Sequence, residues 1–333
     1  MRKLFVAVLV LVLAPLLPAA TPTGYHILTE IKIGGDGAWD YLAVDSAARR
    51  LYVSHATHVV VVDLDKNTVV GDIPDTPGVH GIAIAPELNK GFISNGRGNN
   101  VTIFDLKTFK ATGSVATEMN PDDITYDAGS KRVFAFNGRS RSATAIDAKT
   151  GMAIATIPLP GKPEFAVVDG KGHIYDNIED TSEIVEIDVA KAAVTKKYAL
   201  TGCEGPSGMA IDLKAHRLFS VCGNRVMAIS DPDKGTVIAT VPIGAGSDGV
   251  VFDPGTGYAM SSNGDGTLTV VQQSGGKYDV VENIATERAA RTIALDEKTH
   301  RVYLSTATFG TTPTGGGRAQ QLPDSFKVLV VGK

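Results

Sequence analysis

Seven residues share one offset in a recurring pattern along this 333-residue chain, and four of them are carboxylates. They are Asp40, His80, Asp122, Glu164, Ser207, Asp248 and Arg291. A second common offset holds His55, Asn95, Asn137, Cys222, Asn263 and Thr306, with Asn177 displaced by about one residue. Carboxylates backed by Asn amide oxygens make an oxygen-rich cup, and hard cations such as Ca²⁺ or Mg²⁺ take ligands of this sort. On that reading Asp40, Asp122, Glu164 and Asp248, with Asn95, Asn137 and Asn263, hold a divalent cation that polarises a carbonyl or activates water. His80 or His55 then transfers the proton, since imidazole titrates near neutral pH.

The same residues have plainer explanations. Asn95-Gly96, Asn137-Gly138 and Asn263-Gly264 are turn dipeptides, favoured because both residue types tolerate positive φ. Aspartate at the start of a strand often caps a loop through the backbone. Against this stands the cost of clustering like charges without a counter-ion or shifted pKa values.

What must position these residues is a repeat. Taking Asp45, Ala85, Asp127, Asp169, Asp212, Asp253 and Asp296 as position zero, the steps run from 40 to 43 residues. A period near forty marks a propeller or solenoid, whose units cannot bury their apolar faces alone. Before position zero stand alternating pairs such as Leu42 and Val44, or Ile82 and Ile84, with the period of two that a strand requires. About seven residues after it comes a bulky residue, as at Tyr52, Phe92, Phe134 and Tyr303. Polar turns such as Asp253-Pro254-Gly255-Thr256-Gly257 separate the two, so each unit opens with a hairpin. A third apolar run follows, often closed by Asp, as in Val60-Val61-Val62-Asp63, and then a fourth strand.

The fourth strand decides closure. Ile33, Ile73, Val115, Ile157, Leu200, Val241 and Ile284 stand twelve residues before position zero. Ile33 belongs to a strand near His26 with no unit before it, whereas the last unit stops after its third strand, Phe326 to Val331. The two ends complete one another and remove the edges an open sheet would expose. The expectation is an all-β fold: a seven-bladed β-propeller of four-stranded antiparallel blades, over residues 21–333, its last blade closed by the N-terminal strand.

Residues 1–20 read as a secretory signal peptide: Arg2 and Lys3, an apolar run from Leu4 to Leu17, then Pro18-Ala19-Ala20. The protein is therefore expected in the periplasm or secreted, with no membrane span after cleavage. Removing Arg2 and Lys3 takes the net charge from −4 to −6, too acidic for non-specific nucleic-acid binding. The two cysteines, Cys203 and Cys222, fall at one face of the fifth unit. An oxidising compartment favours a disulfide between them, with free thiols or soft-metal ligands as the alternative.

Propellers place ligands at the channel end where first strands begin, and the shared-offset residues project there. Trp39, beside the loop Gly34-Gly35-Asp36-Gly37, flanks that mouth with Tyr41 and Phe165, where aromatic rings stack on a ligand or pack between blades. His173, His216 and His300 fall in first turns and are expected to be solvated. The segment Thr306 to Pro323 is the one long irregular loop, a lid over the mouth or a plain surface loop.

Leu51-Tyr52-Val53-Ser54, Gly91-Phe92-Ile93-Ser94 and Val302-Tyr303-Leu304-Ser305 are variants of one tetrapeptide. With Gly37-Ala38-Trp39-Asp40-Tyr41-Leu42, Pro77-Gly78-Val79-His80-Gly81-Ile82 and the ending Asp324-Ser325-Phe326, they make the chain resemble the YVTN β-propeller family, specifically its exported YncE-like members. The resemblance spans the mature chain, although no unit carries the literal Tyr-Val-Thr-Asn. It implies a monomeric binding or scaffold propeller that takes a small molecule or a protein at its channel mouth, and a structural hydrogen bond for His80. It implies little chemistry, since fold does not fix function. The ligand-binding set is then Trp39, Asp40, His80, Asp122, Glu164, Ser207, Asp248 and Arg291. The alternative is a divalent-metal-dependent hydrolase or lyase resembling propeller lactonases. Sequence motifs for nucleotide, haem or zinc are absent.

Overall fold

A computed structural model describes residues 22–311 and 319–333. The predicted leader, residues 1–20, and the middle of the loop after Thr306 lie outside the described residues. Among the described residues, twenty-eight strands form seven separate four-stranded antiparallel sheets. The first strands are Leu42–Asp45, Val79–Ala85, Pro121–Asp127, Pro163–Val168, Pro206–Asp212, Ser247–Asp253 and Ile293–Asp296. Each touches the first strands of the blades on either side, and the last touches the first, so they line a closed central channel. Among the described residues no helix is long and apolar enough to cross a membrane.

The position-zero aspartates shape the first turn of each blade. Asp45 Oδ1 accepts from Ala48 N at 2.8 Å, and Asp127, Asp169, Asp212, Asp253 and Asp296 make equivalent bonds. These short caps hold the chain back on itself. Ala85 has no side-chain acceptor, and there a 3₁₀ turn, Pro86–Leu88, makes the reversal instead. Most of these turns then close on a left-handed residue: Arg49, Asn89, Lys131, His216, Gly257 and His300.

Closure follows the expected route. Strand His26–Lys32 pairs antiparallel with Lys327–Gly332, completing the sheet of strands Ile293–Asp296 and Arg301–Thr306. The buried aliphatic residue of the closing strand is Ile31, 1% exposed, rather than Ile33. Ile33 lies just past the strand end, where its N–H donates to Phe326 O at 3.0 Å. Apolar side chains form seven buried clusters, each drawn from two neighbouring blades. One of them joins Ile31, Val328 and Val330 to Leu51, Val53 and Val60, so the seam is packed like any other blade interface.

Candidate functional site

The backbone beneath the shared-offset residues is tied from blade to blade. Ser94 Oγ donates to Asp122 O, Asn177 Nδ2 to Ser207 O at 2.7 Å, and Ser262 Oγ to Arg291 O. In the last blade Ser305 meets Thr292 at 3.0 Å, and Thr292 Oγ1 donates to Asp40 O at 2.9 Å. In the second, fourth and sixth blades the penultimate residue of the second strand thus holds the ring residue of the next blade, and in the last blade Ser305 does so through Thr292.

The ring carries its own counter-ions. His80 Nδ1 lies 2.6 Å from Asp40 Oδ2 and 3.4 Å from Asp122 Oδ1. Burial alone would lower its pKa, but the Asp40 hydrogen bond and the charges of Asp122, Asp40 and Glu164 outweigh it and raise it to about 9. Lys162 Nζ stands 2.9 Å from Glu164 Oε2 and also meets Glu179. Arg291 Nε stands 3.3 Å from Asp248 Oδ2. Burial nevertheless pushes Glu164 up to about 8, and Asp122 and Asp248 up to about 6.

Below the ring the channel has a floor. Tyr41 of the first blade and Phe165 of the fourth meet edge to face, with ring centroids 5.0 Å apart. Burial holds the Tyr41 phenol well above its usual pKa, and the charges of Asp248, Asp40, Asp122 and Glu164 add to that. Beside it Asp123 is buried and accepts from Ala166 N at 2.9 Å, and burial pushes it up to about 8. Asp176 is fully buried with both carboxylate oxygens unpartnered, and burial drives its pKa well above the usual carboxylate range. Sequence reasoning missed Asp176. Its signal was an acid at a second-strand position that other blades fill with Val53, Ile93 or Ala135.

The asparagines do not join the cup. Asn95 Nδ2 donates to Asn100 Oδ1 and Thr102 Oγ1, both at 2.8 Å. Asn137 bonds Ser142 and Thr144, and Asn263 bonds Thr267 and Thr269. All three are fully buried and face the third strand of their own blade. A common offset in the repeat gave them a common direction, but that direction is inward to the hairpin. Ser207 Oγ donates to Ser247 O at 3.2 Å and leaves the carboxylates alone.

His55 is also removed from the cup. Its ring stacks on Phe326 at 4.4 Å, and its Nδ1 lies 3.2 Å from His58 Nε2. Burial, with His58 beside it, lowers its pKa to about 4, so it is neutral at ordinary pH. His173, His216 and His300 are more than solvated turn residues: each pairs with an aspartate, at 2.9 Å to Asp169, 2.9 Å to Asp233 and 3.0 Å to Asp253. Cys203 and Cys222 form a disulfide with Cα atoms 5.5 Å apart.

Over the ring opens a cleft of about 500 Å³ whose lining includes Trp39, Asp40, His80, Arg97, Arg139 and Arg291. A wider opening of about 590 Å³ near His58, Asp72 and Pro77 gathers no ring residue. Arg97 and Arg139 escaped sequence reasoning because they lie outside the shared offset. Their signal was a recurring Asn-Gly-Arg, at Asn95-Gly96-Arg97 and Asn137-Gly138-Arg139. The Asn-Gly turn carries the following residue out over the mouth.

As a hard-cation site the cup fits poorly. Glu164 and Asp248 are turned to Lys162 and Arg291, and the asparagine amides are committed within their own blades, Asn263 Oδ1 accepting from Ser261 Oγ and the buried Asn95 and Asn137 Oδ1 atoms meeting no donor. What converges is Asp40, His80 and Asp122, whose ligand atoms lie within 4.8 Å of one another. That set mixes nitrogen with oxygen, which suits borderline transition metals better than Ca²⁺ or Mg²⁺. No protein-family model matches the chain, and no curated protein matches it.

Proposed function

We propose that the protein is an exported, YncE-like binding propeller that takes a small molecule or a partner protein at the mouth of its channel. The observation that carries this reading is the cleft of about 500 Å³ above a self-neutralised ring of ion pairs on a closed aromatic floor. A concave site with a few convergent polar groups and shifted pKa values is where a ligand is expected. The charged start of the chain, its apolar run and the Cys203–Cys222 bridge support export. His80 serves here as a fixed cation and donor: with Nδ1 committed to Asp40 and a pKa near 9, it is a poor base at neutral pH. The test is a thermal-shift screen of metabolite and peptide pools on the intact protein. Compounds that raise the melting temperature should lose their effect in Asp40→Asn and His80→Gln. Hits that bind these variants as well as the original protein would place the site elsewhere and overturn the reading.

The Asp40–His80–Asp122 convergence favours a second reading, a metal-dependent hydrolase or lyase. In it these three residues would hold the ion, which would supply Lewis acidity to a bound carbonyl. Metal analysis of purified protein decides: a stoichiometric transition metal supports it, and its absence after metal-supplemented purification removes it.

A further inference from the structure

We propose that the mouth cleft is an anion site: it takes a small organic carboxylate or phosphate ester, whose charge meets Arg97 and Arg139 and whose apolar part lies on Trp39. This deepens the reading above and rests on it.

The two rim arginines stand outside the ion pairs of the ring. Among the described residues neither has a carboxylate within ion-pair distance, although the other mouth cations, Lys162, Arg291 and His80, each have one. Both are exposed, yet both line the same cleft. Guanidinium groups offer planar forks that match carboxylate and phosphate oxygens. Arg97 is also seated. A Cβ on Gly78 would stand 2.7 Å from Arg97 Cγ, so the left-handed glycine at φ +66° leaves the space its stem occupies. Gly96 does the same for His80, whose Nε2 would lie 2.6 Å from a Cβ there. With Nδ1 on Asp40, His80 is held in place beside the two arginines in the cleft lining.

The charge balance supports an anion as well. His80, Lys162 and Arg291 are already engaged by Asp40, Asp122, Glu164, Glu179 and Asp248. Arg97 and Arg139 are the cations at this concave opening that remain for an incoming anion. The apolar wall is Trp39, half-buried and itself stacked on Phe326 with centroids 5.2 Å apart. Phe309 stands on it as well at 6.3 Å, and the indole held by these two rings lines the cleft.

Trp39 is the sole tryptophan, so intrinsic fluorescence reports on this cleft directly. The intact protein is titrated with phenyl phosphate, benzoate and inorganic phosphate at constant ionic strength set with NaCl, and with phenol as the neutral counterpart. Saturable changes are expected for phenyl phosphate and benzoate, at lower concentration than for phosphate alone, and none for phenol. Arg97→Gln/Arg139→Gln should weaken them roughly tenfold or more, the scale of losing charge-assisted hydrogen bonds. Lys107→Gln/Lys110→Gln removes the same charge from the opposite face and should bind normally. The anion assignment is overturned if no anion gives a saturable change, or if the double-arginine variant binds unchanged. A saturable response to phenol alone would keep the cleft as the ligand site while rejecting the anion, which separates this failure from failure of the functional reading.

Discussion

Tyr41 and Phe165, from blades on opposite sides of the ring, meet across the channel with their ring centroids 5.0 Å apart at 68°. The contact turns a bore into a cup. The ring carboxylates beside it are half-buried, with side chains 13 to 18% exposed. Buried carboxyls next to an apolar floor resist ionisation, which is why Glu164 and Asp123 hold their protons so strongly.

An edge-to-face aromatic pair contributes about 0.5–1.5 kcal/mol beyond the area it buries. A double-mutant cycle on Tyr41→Leu and Phe165→Leu should therefore show a coupling of about 1 kcal/mol in denaturant unfolding. Strict additivity of the two single changes would mean that the rings do not meet in solution.

Glu164 and His80 in the ring and Asp123 beneath it carry large shifts that bear on the pH dependence of stability. Glu164 is pushed up to about 8 from 4.5, and Asp123 to about 8 from 3.8. His80 is raised to about 9 from 6.5. Each binds its proton more tightly folded than unfolded, so its stabilisation is complete below the unfolded pKa and is lost as pH rises through the folded one. The melting temperature should fall between about pH 5 and pH 9. Asp123, which faces Asp122, Asp40, Asp176 and the Ala166 N–H, contributes over the lower part of that window. Asp123→Asn should flatten the profile between about pH 4 and 8. A melting temperature that climbs steadily from pH 5 to 9 would contradict all three assignments.

The ring seam makes a sharp distinction between two isoleucines. Ile31 is 1% exposed and packs with Val328 and Phe326, whereas Ile33 is only partly buried. Ile31→Ala should cost about 2–5 kcal/mol, as core truncations do. Ile33→Ala should cost clearly less. Equal losses in chemical denaturation, or a larger one at Ile33, would put the closing strand two residues out of register.

The Cys203–Cys222 bridge spans 19 residues. A loop of that size contributes about 3 kcal/mol in the chain-entropy model. Thiol titration of the denatured, unreduced protein should find no free thiol, and Cys203→Ser/Cys222→Ser should melt earlier. Two titratable thiols would remove the bridge.

Much of this architecture was legible because its signals repeat. Position-zero aspartates, alternating pairs and the complementary ends each recur at a fixed spacing, and a closed ring converts equal offsets into equal heights. The carboxylate ring was legible for the same reason. Direction was not. Asn95, Asn137 and Asn263 share an offset, yet hydroxyls on the adjacent strand, such as Thr102, Thr144 and Thr269, draw their amides into the blade. The counter-ions were hidden too. Arg291 was visible in the ring, but Lys162 lies two residues before its partner, and no period points to it. Asp176 is the acid at a position that the next two blades fill with Ser220 and Ser261, so a polar residue there did not stand out as a departure. Ile31 displaced Ile33 because the link to the first blade, Gly34-Gly35-Asp36-Gly37, lets the chain leave the strand early.

His80 is the cation that the ring was expected to import. Its Nδ1 sits between Asp40 and Asp122, where a bound ion would otherwise neutralise them. A divalent cation entering there has to displace an imidazolium already bonded to Asp40 at 2.6 Å. Ca²⁺ and Mg²⁺ should therefore leave the melting temperature of the unaltered protein unchanged. His80→Gln takes away the built-in charge and leaves two half-buried carboxylates facing one another, so this variant should melt earlier. It should also recover with Ca²⁺: a bound ion stabilises by RT ln(1 + [L]/Kd), about 2.7 kcal/mol at a hundredfold excess over Kd. Differential scanning calorimetry with and without 10 mM CaCl₂, a concentration on the order of that excess for a weak extracellular-type site, reads both arms. Stabilisation of the unaltered protein by Ca²⁺, undiminished by Asp40→Asn, would show that the cation binds elsewhere. Stabilisation abolished by Asp40→Asn would restore the cup as a metal centre and make His80 a ligand rather than a substitute.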